Sequence, residues 1–169
     1  RRQGRAGGVT GRVAGAHLIV YDIHSYNYIR HKKNLPVFNI GTENINNHKY
    51  KKTVSSWFNE LKEIKLGNFE STTEINGPFQ GNGNFLMHIT EKFKNTLVLA
   101  TEIKKIYCNE LDGTDYPIVI NQLEHGFKKA IIKTSNLFAD SILQLKMDKS
   151  SLLSTGIDSQ LIDVDKKLY

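Results

Sequence analysis

Residues 18–27 read LIVYDIHSYN, and this stretch decides the fold class. Its first half is apolar and rich in β-branched residues, which predicts a strand buried on both faces. Its second half is polar and groups Asp22, His24 and Asn27 within six positions. In open α/β sheets, ligands bind beyond the carboxyl ends of the strands. The pattern therefore predicts an α/β domain whose site includes His24.

Strand and helix patterns alternate along the rest of the chain, which favours an α/β layered domain with a mixed sheet. Short apolar runs predict strands, apolar residues at three- and four-residue spacing predict helices, and a cluster of turn formers predicts a shaped loop. The predicted elements are strands at 37–40 and 96–103, a short strand or extended segment at 69–75, helices at 50–65, 85–93 and 117–149, and a loop at 76–84.

Length and composition favour one domain without a membrane span. The chain has 169 residues, of which 39% are hydrophobic, and no apolar run is long enough to cross a bilayer. We divide it into an Arg/Gly-rich segment at 1–16, which we expect to be flexible, a domain at 17–150 and a loosely ordered tail at 151–169. Cys108 is the only cysteine, so no internal disulfide can form, and we expect a cytoplasmic protein.

The positive charge is concentrated in residues 1–16. The net charge is +6, and this segment carries four arginines and no acidic residue, so the remainder carries only +2. An arginine-rich segment can bind RNA through phosphate contacts, but a solvated segment explains the same composition. We favour the second interpretation and do not expect a nucleic-acid partner.

Two residues are the strongest candidates for chemistry. His24 is either a hydrogen-bonded histidine at a strand end or a zinc ligand, since neutral imidazole is a common donor to Zn²⁺. Glu102 follows an apolar strand, where a carboxylate is paired, solvated in a cleft or shifted in pKa. It is either the partner of Lys104 or Lys105 or a general base that takes a proton from water.

Four more residues are candidate substrate contacts. Arg30 suits a carboxylate because its guanidinium is a bidentate fork, although an exposed loop arginine explains it equally well. Asn27, Asn39 and Thr42 are candidates for binding the polar end of a substrate, and capped turns are the alternative for Asn39 and Thr42. The only forward His-x-x-Glu spacing, at 88–91, is interpreted as a surface pair, because nothing nearby supplies a third metal ligand.

Three stretches in a fixed order resemble the N-formylglutamate amidohydrolase family. They are DIHSYN at 22–27 followed by Arg30, PVFNIGT at 36–42 and TEIKKIY at 101–107, and the resemblance covers about residues 17–130. The His-Ser-Tyr element is also similar to that of the wider zinc carboxypeptidase-like hydrolases.

The resemblance implies a three-layer α/β/α domain of the phosphorylase/hydrolase type. It also implies zinc-dependent hydrolysis of the amide bond of a small N-acyl amino acid, with His24 as a zinc ligand, Glu102 as the general base and Arg30 as a contact to the substrate carboxylate. The family carries a His-x-x-Glu zinc pair before its Asp-x-His element, whereas only residues 1–16 precede it here. We therefore expect a domain truncated at the N-terminus, with an incomplete site that is inactive unless the missing upstream ligands are supplied. The alternative is a non-catalytic domain that binds a small anionic ligand through Arg30.

Overall fold

The computed structural model describes residues 17–31 and 34–154, which form a mixed α/β structure. A four-stranded sheet and three helices follow one another in the order β1 (Leu18–Tyr26), β2 (Phe38–Gly41), α1 (Asn47–Lys62), β3 (Thr73–Ile75), α2 (Asn84–Lys92), β4 (Thr96–Lys104) and α3 (Pro117–Ser154). The predicted segment at 1–16 lies outside the described residues, as do residues 155–169 of the predicted tail.

The sheet has the strand order β1-β4-β2-β3 and is mixed, as expected from the sequence. β1 runs parallel to β4, and β2 runs parallel to β3, whereas β2 and β4 are antiparallel. The two strands that carry His24 and Glu102 are therefore hydrogen-bonded neighbours, although β2, α1, β3 and α2 lie between them in sequence.

β1 differs from its prediction in two ways. It lies at an edge of the sheet, and Leu18 and Ile23 are 41% and 39% exposed, so the prediction of a strand buried on both faces was wrong. It also continues through the polar residues to Tyr26, because all nine of its residues are in register with β4. The polar cluster thus belongs to the strand itself, and alternate members of the cluster share a face.

The hydrophobic core lies on one face of the sheet, beneath α1 and α3. Leu97 and Leu99 of β4 and Phe38 of β2 belong to the same buried cluster as Trp57 of α1, which is fully buried. Burial of a side chain of this size contributes roughly 1.5–3 kcal/mol. The Trp57 indole nitrogen donates to Thr101 Oγ1 over 2.9 Å, which fixes the ring against β4. Because strand residues alternate, Ala100 and Glu102 must lie on the opposite face.

The helices form where the apolar spacing places them, with small shifts in their ends. α1 begins earlier than predicted because the Asn46 side chain accepts a hydrogen bond from the Lys49 amide over 2.9 Å. α3 starts at Pro117, which suits a first-turn position, and ends at Ser154. Residues 151–154 are therefore helical, and the expectation of a loosely ordered tail from 151 was wrong for these four.

Candidate functional site

Four polar residues form one row across the sheet. His24 on β1 is in register with Glu102 on β4, which is in register with Asn39 on β2. Asn39 is in turn in register with Glu74 on β3. Directly opposite residues on neighbouring strands share a face, so all four lie on the face away from the core. The sequence reasoning found three of them but not Glu74, whose only signal was a charged residue in a very short strand.

Asp22 extends the row along β1. It lies two residues before His24, on the same face, and its Oδ1 is 2.9 Å from His24 Nε2. The His24 side chain is 61% exposed and that of Asp22 only 19%. The Asp22 carboxylate therefore lies on the more buried side of the imidazole, whose other side faces solvent. This pairing orients the imidazole and leaves Nδ1 as its second nitrogen.

Glu102 has an altered proton affinity. Burial raises the pKa of its carboxyl above the ordinary value; the neighbouring His24 opposes this rise, and the Asp22 carboxylate adds to it. No lysine ion pair to Glu102 occurs in the described part of the chain, and Lys104 Nζ instead lies 4.5 Å from the centre of the Tyr28 ring. A carboxyl group with a raised pKa suits transfer of a proton near neutral pH.

His24, Glu102 and Asn39 of this row line a cleft of about 720 Å³, whereas Glu74 does not. Asp22, His24 and Glu102 line one side, and the backbone and side chains of residues 78–86 line the other. Among the described residues that line it, none is a lysine or an arginine. The titratable groups in this cleft are therefore two carboxyls and one imidazole.

A glycine-containing loop at residues 76–84, here called the glycine loop, closes over the end of β2. Gly41 and Gly81 touch through their backbones: a Cβ placed on Gly41 would lie 2.4 Å from the Gly81 Cα. Gly81 has a φ of +77°, which L-residues with side chains rarely adopt. The predicted shaped loop is thus present and is packed against the strand that carries Asn39.

The side chain of Asn39 holds this loop in place. Its Nδ2 donates to the Phe79 carbonyl over 2.7 Å, and its Oδ1 accepts from the Gly77 amide over 2.9 Å. Thr42 is held in a similar way, since its amide donates to Asn76 Oδ1 over 2.7 Å and its hydroxyl accepts from Asn76 Nδ2 over 2.9 Å. Both residues are buried and use these groups for contacts within the protein.

Of the four predicted substrate contacts, only Asn39 lines the cleft, whereas Thr42, Asn27 and Arg30 do not. Asn27 and Arg30 are exposed in the segment that follows β1, and neither lines the cleft. Glu110, which the sequence reasoning missed, anchors this segment by accepting hydrogen bonds from the amides of Tyr28 and Ile29.

The described residues do not complete a zinc site. They contain no group of three or more His, Cys, Asp or Glu side chains arranged to hold a metal ion, whereas a catalytic zinc normally has three protein ligands. His88 and Glu91 are exposed on α2, in keeping with the prediction of a surface pair. His24 would thus require ligands from beyond the described residues.

Comparison of the chain with protein-family models, with curated proteins and with solved structures found no match. Across 17–31 and 34–154, no helix has both the length and the apolar character needed to cross a membrane.

Proposed function

We propose that the chain is an amidohydrolase of the N-formylglutamate type, in which Glu102 is the general base. The observation that carries the proposal is the register of His24 with Glu102 across two parallel strands, where both side chains face a cleft of about 720 Å³. The raised pKa of Glu102 supports a role in proton transfer. The proposal also includes a three-layer α/β/α domain. This part is supported by α1 and α3, which lie on one face of the sheet, and by α2, which lies beside the cleft on the other face.

Hydrolysis of an N-acyl amino acid requires one proton to leave water and one to reach the amide nitrogen. Glu102 takes the water proton as the water oxygen bonds to the acyl carbon, and then donates it to the nitrogen as the C–N bond breaks. The products are a free acid and an amino acid. One carboxyl group that gains and returns a proton accounts for both steps.

The proposal assigns zinc one ligand among the described residues, which is His24. The Asp22 carboxylate holds this ring, and a carboxylate partner is typical of histidines that bind metals. Because the described residues supply a single imidazole ligand, we expect the chain to bind zinc weakly at this position. The mechanistic role of Glu102 does not depend on how that site is completed.

The catalytic part is tested by formate release from N-formylglutamate in the presence of zinc. Loss of a general base lowers rates by about 10²–10⁴-fold, so Glu102→Gln should abolish most of the release. Glu91→Gln, which changes an exposed carboxylate on α2, is the matched control and should retain the wild-type rate. No release by the wild-type chain would reject the enzyme and favour a binding domain.

The metal part is tested separately by titrating zinc against the ring resonances of the histidines. Those of His24 should shift first, and His24→Asn should remove the shift. His125→Asn, which changes a histidine on α3, should leave the His24 response intact. Equal responses from all histidines would show that His24 is not a preferred ligand.

A further inference from the structure

Asn39 occupies an unusual place for a polar side chain. Its exposed fraction is 0%, and it lies at the base of the cleft between two carboxylates, with Glu102 on one neighbouring strand and Glu74 on the other. A buried amide needs partners for its oxygen and its nitrogen. Both partners come from the glycine loop, through the Gly77 amide and the Phe79 carbonyl.

We propose that Asn39 is a positioning residue, which fixes the glycine loop as a rigid wall of the cleft. This role replaces the direct substrate contact expected from the sequence. The Asn39 amide already donates to one loop residue and accepts from another. A substrate would have to displace the loop to reach the amide oxygen or nitrogen.

The loop approaches Asn39 closely enough to make this coupling tight. A Cβ on Gly77 would lie 2.9 Å from Asn39 Oδ1 and 2.6 Å from Glu74 Oε2, so only glycine brings this backbone amide down to the row. Three residues further on, the Gln80 side chain donates to the carbonyls of Asn76 and Gly77, each over 3.0 Å. The segment that contacts Asn39 is therefore braced internally.

An amide suits position 39 because both of its ends are used. Its oxygen accepts from the Gly77 amide and its nitrogen donates to the Phe79 carbonyl. A carboxylate could accept from Gly77 but has no N–H to donate to Phe79.

Two substitutions test this role. Asn39→Ala removes the acceptor for the Gly77 amide, so hydrogen exchange at Gly77 should become at least tenfold faster. Asn39→Asp keeps an acceptor for Gly77 and removes only the donor to the Phe79 carbonyl, so the Gly77 amide should stay protected. Asn68→Asp, which changes an exposed turn, is the control and should leave Gly77 exchange unchanged.

The wild-type chain gives a test that does not depend on the variants folding. Its Gly77 amide and the Asn39 side-chain amide protons should exchange at least tenfold more slowly than those of an unstructured peptide, and exchange at the peptide rate would overturn the proposal. Unchanged Gly77 exchange in folded Asn39→Ala, or loss of Gly77 protection in folded Asn39→Asp, would also overturn it. Retained protection of the Leu97 and Leu99 amides identifies a folded variant.

The catalytic meaning of this arrangement rests on the proposed function, because that function makes Glu102 the base. The exchange measurements need neither substrate nor zinc. Failure of the hydrolysis assay would therefore leave the positioning role of Asn39 standing, and failure of the exchange test would leave the hydrolysis result standing.

Discussion

The backbone contact between Gly41 and Gly81 gives a sharp prediction for Gly41→Ala. The new Cβ would lie 2.4 Å from both the Cα and the amide nitrogen of Gly81, whereas ordinary contacts begin at 3.4 Å. Both of these atoms belong to backbone, so no flexible side chain can turn away. The glycine loop must therefore move outward by about 1 Å to make room for the added methyl group.

This displacement has a calculable cost. Among the hydrogen bonds that hold the loop near the contact, one runs from Asn39 Nδ2 to the Phe79 carbonyl at 2.7 Å and another from the Glu43 amide to the Gln80 carbonyl at 3.0 Å. A shift of about 1 Å takes both beyond 3.5 Å, where they no longer count as hydrogen bonds. At about 0.5–1.5 kcal/mol each, their loss lowers the free energy of unfolding by about 1–3 kcal/mol.

Urea unfolding followed by the fluorescence of Trp57 measures this free energy. Alanine substitutions at three other glycines are the controls. They introduce neither a backbone clash nor a strained φ, the strained φ alone, or both. Gly83 has an ordinary backbone conformation and open space, so Gly83→Ala should stay within about 0.5 kcal/mol of the wild type. Gly113 has a φ of +76° and open space, so Gly113→Ala should cost about 1–2 kcal/mol from backbone strain alone.

Gly81→Ala combines the strained φ with the backbone contact and should be the most destabilising of the four. The reasoning is refuted if Gly41→Ala is as stable as Gly83→Ala, since the loop would then yield without losing its hydrogen bonds. It is also refuted if Gly81→Ala costs no more than Gly113→Ala.

The remaining predictions concern Thr101 and Glu102. Thr101→Val should lower the free energy of unfolding by about 1–3 kcal/mol, because it leaves the buried Trp57 indole N–H without an acceptor, whereas Thr101→Ser keeps the hydroxyl and serves as the control in the same urea experiment. For Glu102, burial raises the pKa of the folded state above the ordinary 4.5, so its stabilising contribution is full below pH 4.5 and is lost as the pH rises through the folded-state value. The difference in free energy of unfolding between Glu102→Gln and the wild type should therefore shift in favour of the variant from pH 4 to pH 7. Unfolding at both pH values measures this difference, and Glu91→Gln is the control. An unchanged difference would contradict the raised pKa.

Local patterns accounted for most of the elements. The spacing of Val54, Trp57 and Leu61 predicted α1, whose observed ends differ by three residues from those expected. Apolar runs likewise predicted β2 and β4 within one residue. These features depend on which side chains follow one another along a few turns or along one strand, and that information is contained in the sequence.

The candidate site was only partly predictable. His24 and Glu102 were identified because polar groups beside apolar strands stand out locally. Glu74 was missed, because a three-residue strand gives too short a pattern to show which face a side chain occupies. Arg30 and Asn27 were expected near the substrate, but whether a loop side chain reaches a cleft depends on the path of the loop, and here Glu110 anchors that path.

The sequence by itself determined the class of fold, the helices and the polar character of residues 22–27, because periodicity and residue type act locally. Only the tertiary structure decided that β1 lies at a sheet edge, that His24 and Glu102 are opposite each other, and that Asn39 serves the glycine loop. These facts depend on strand order and register, which arise from pairings between residues far apart in the chain. A shift of one residue in any of those pairings would turn the side chain that the shifted strand contributes to the row toward the core.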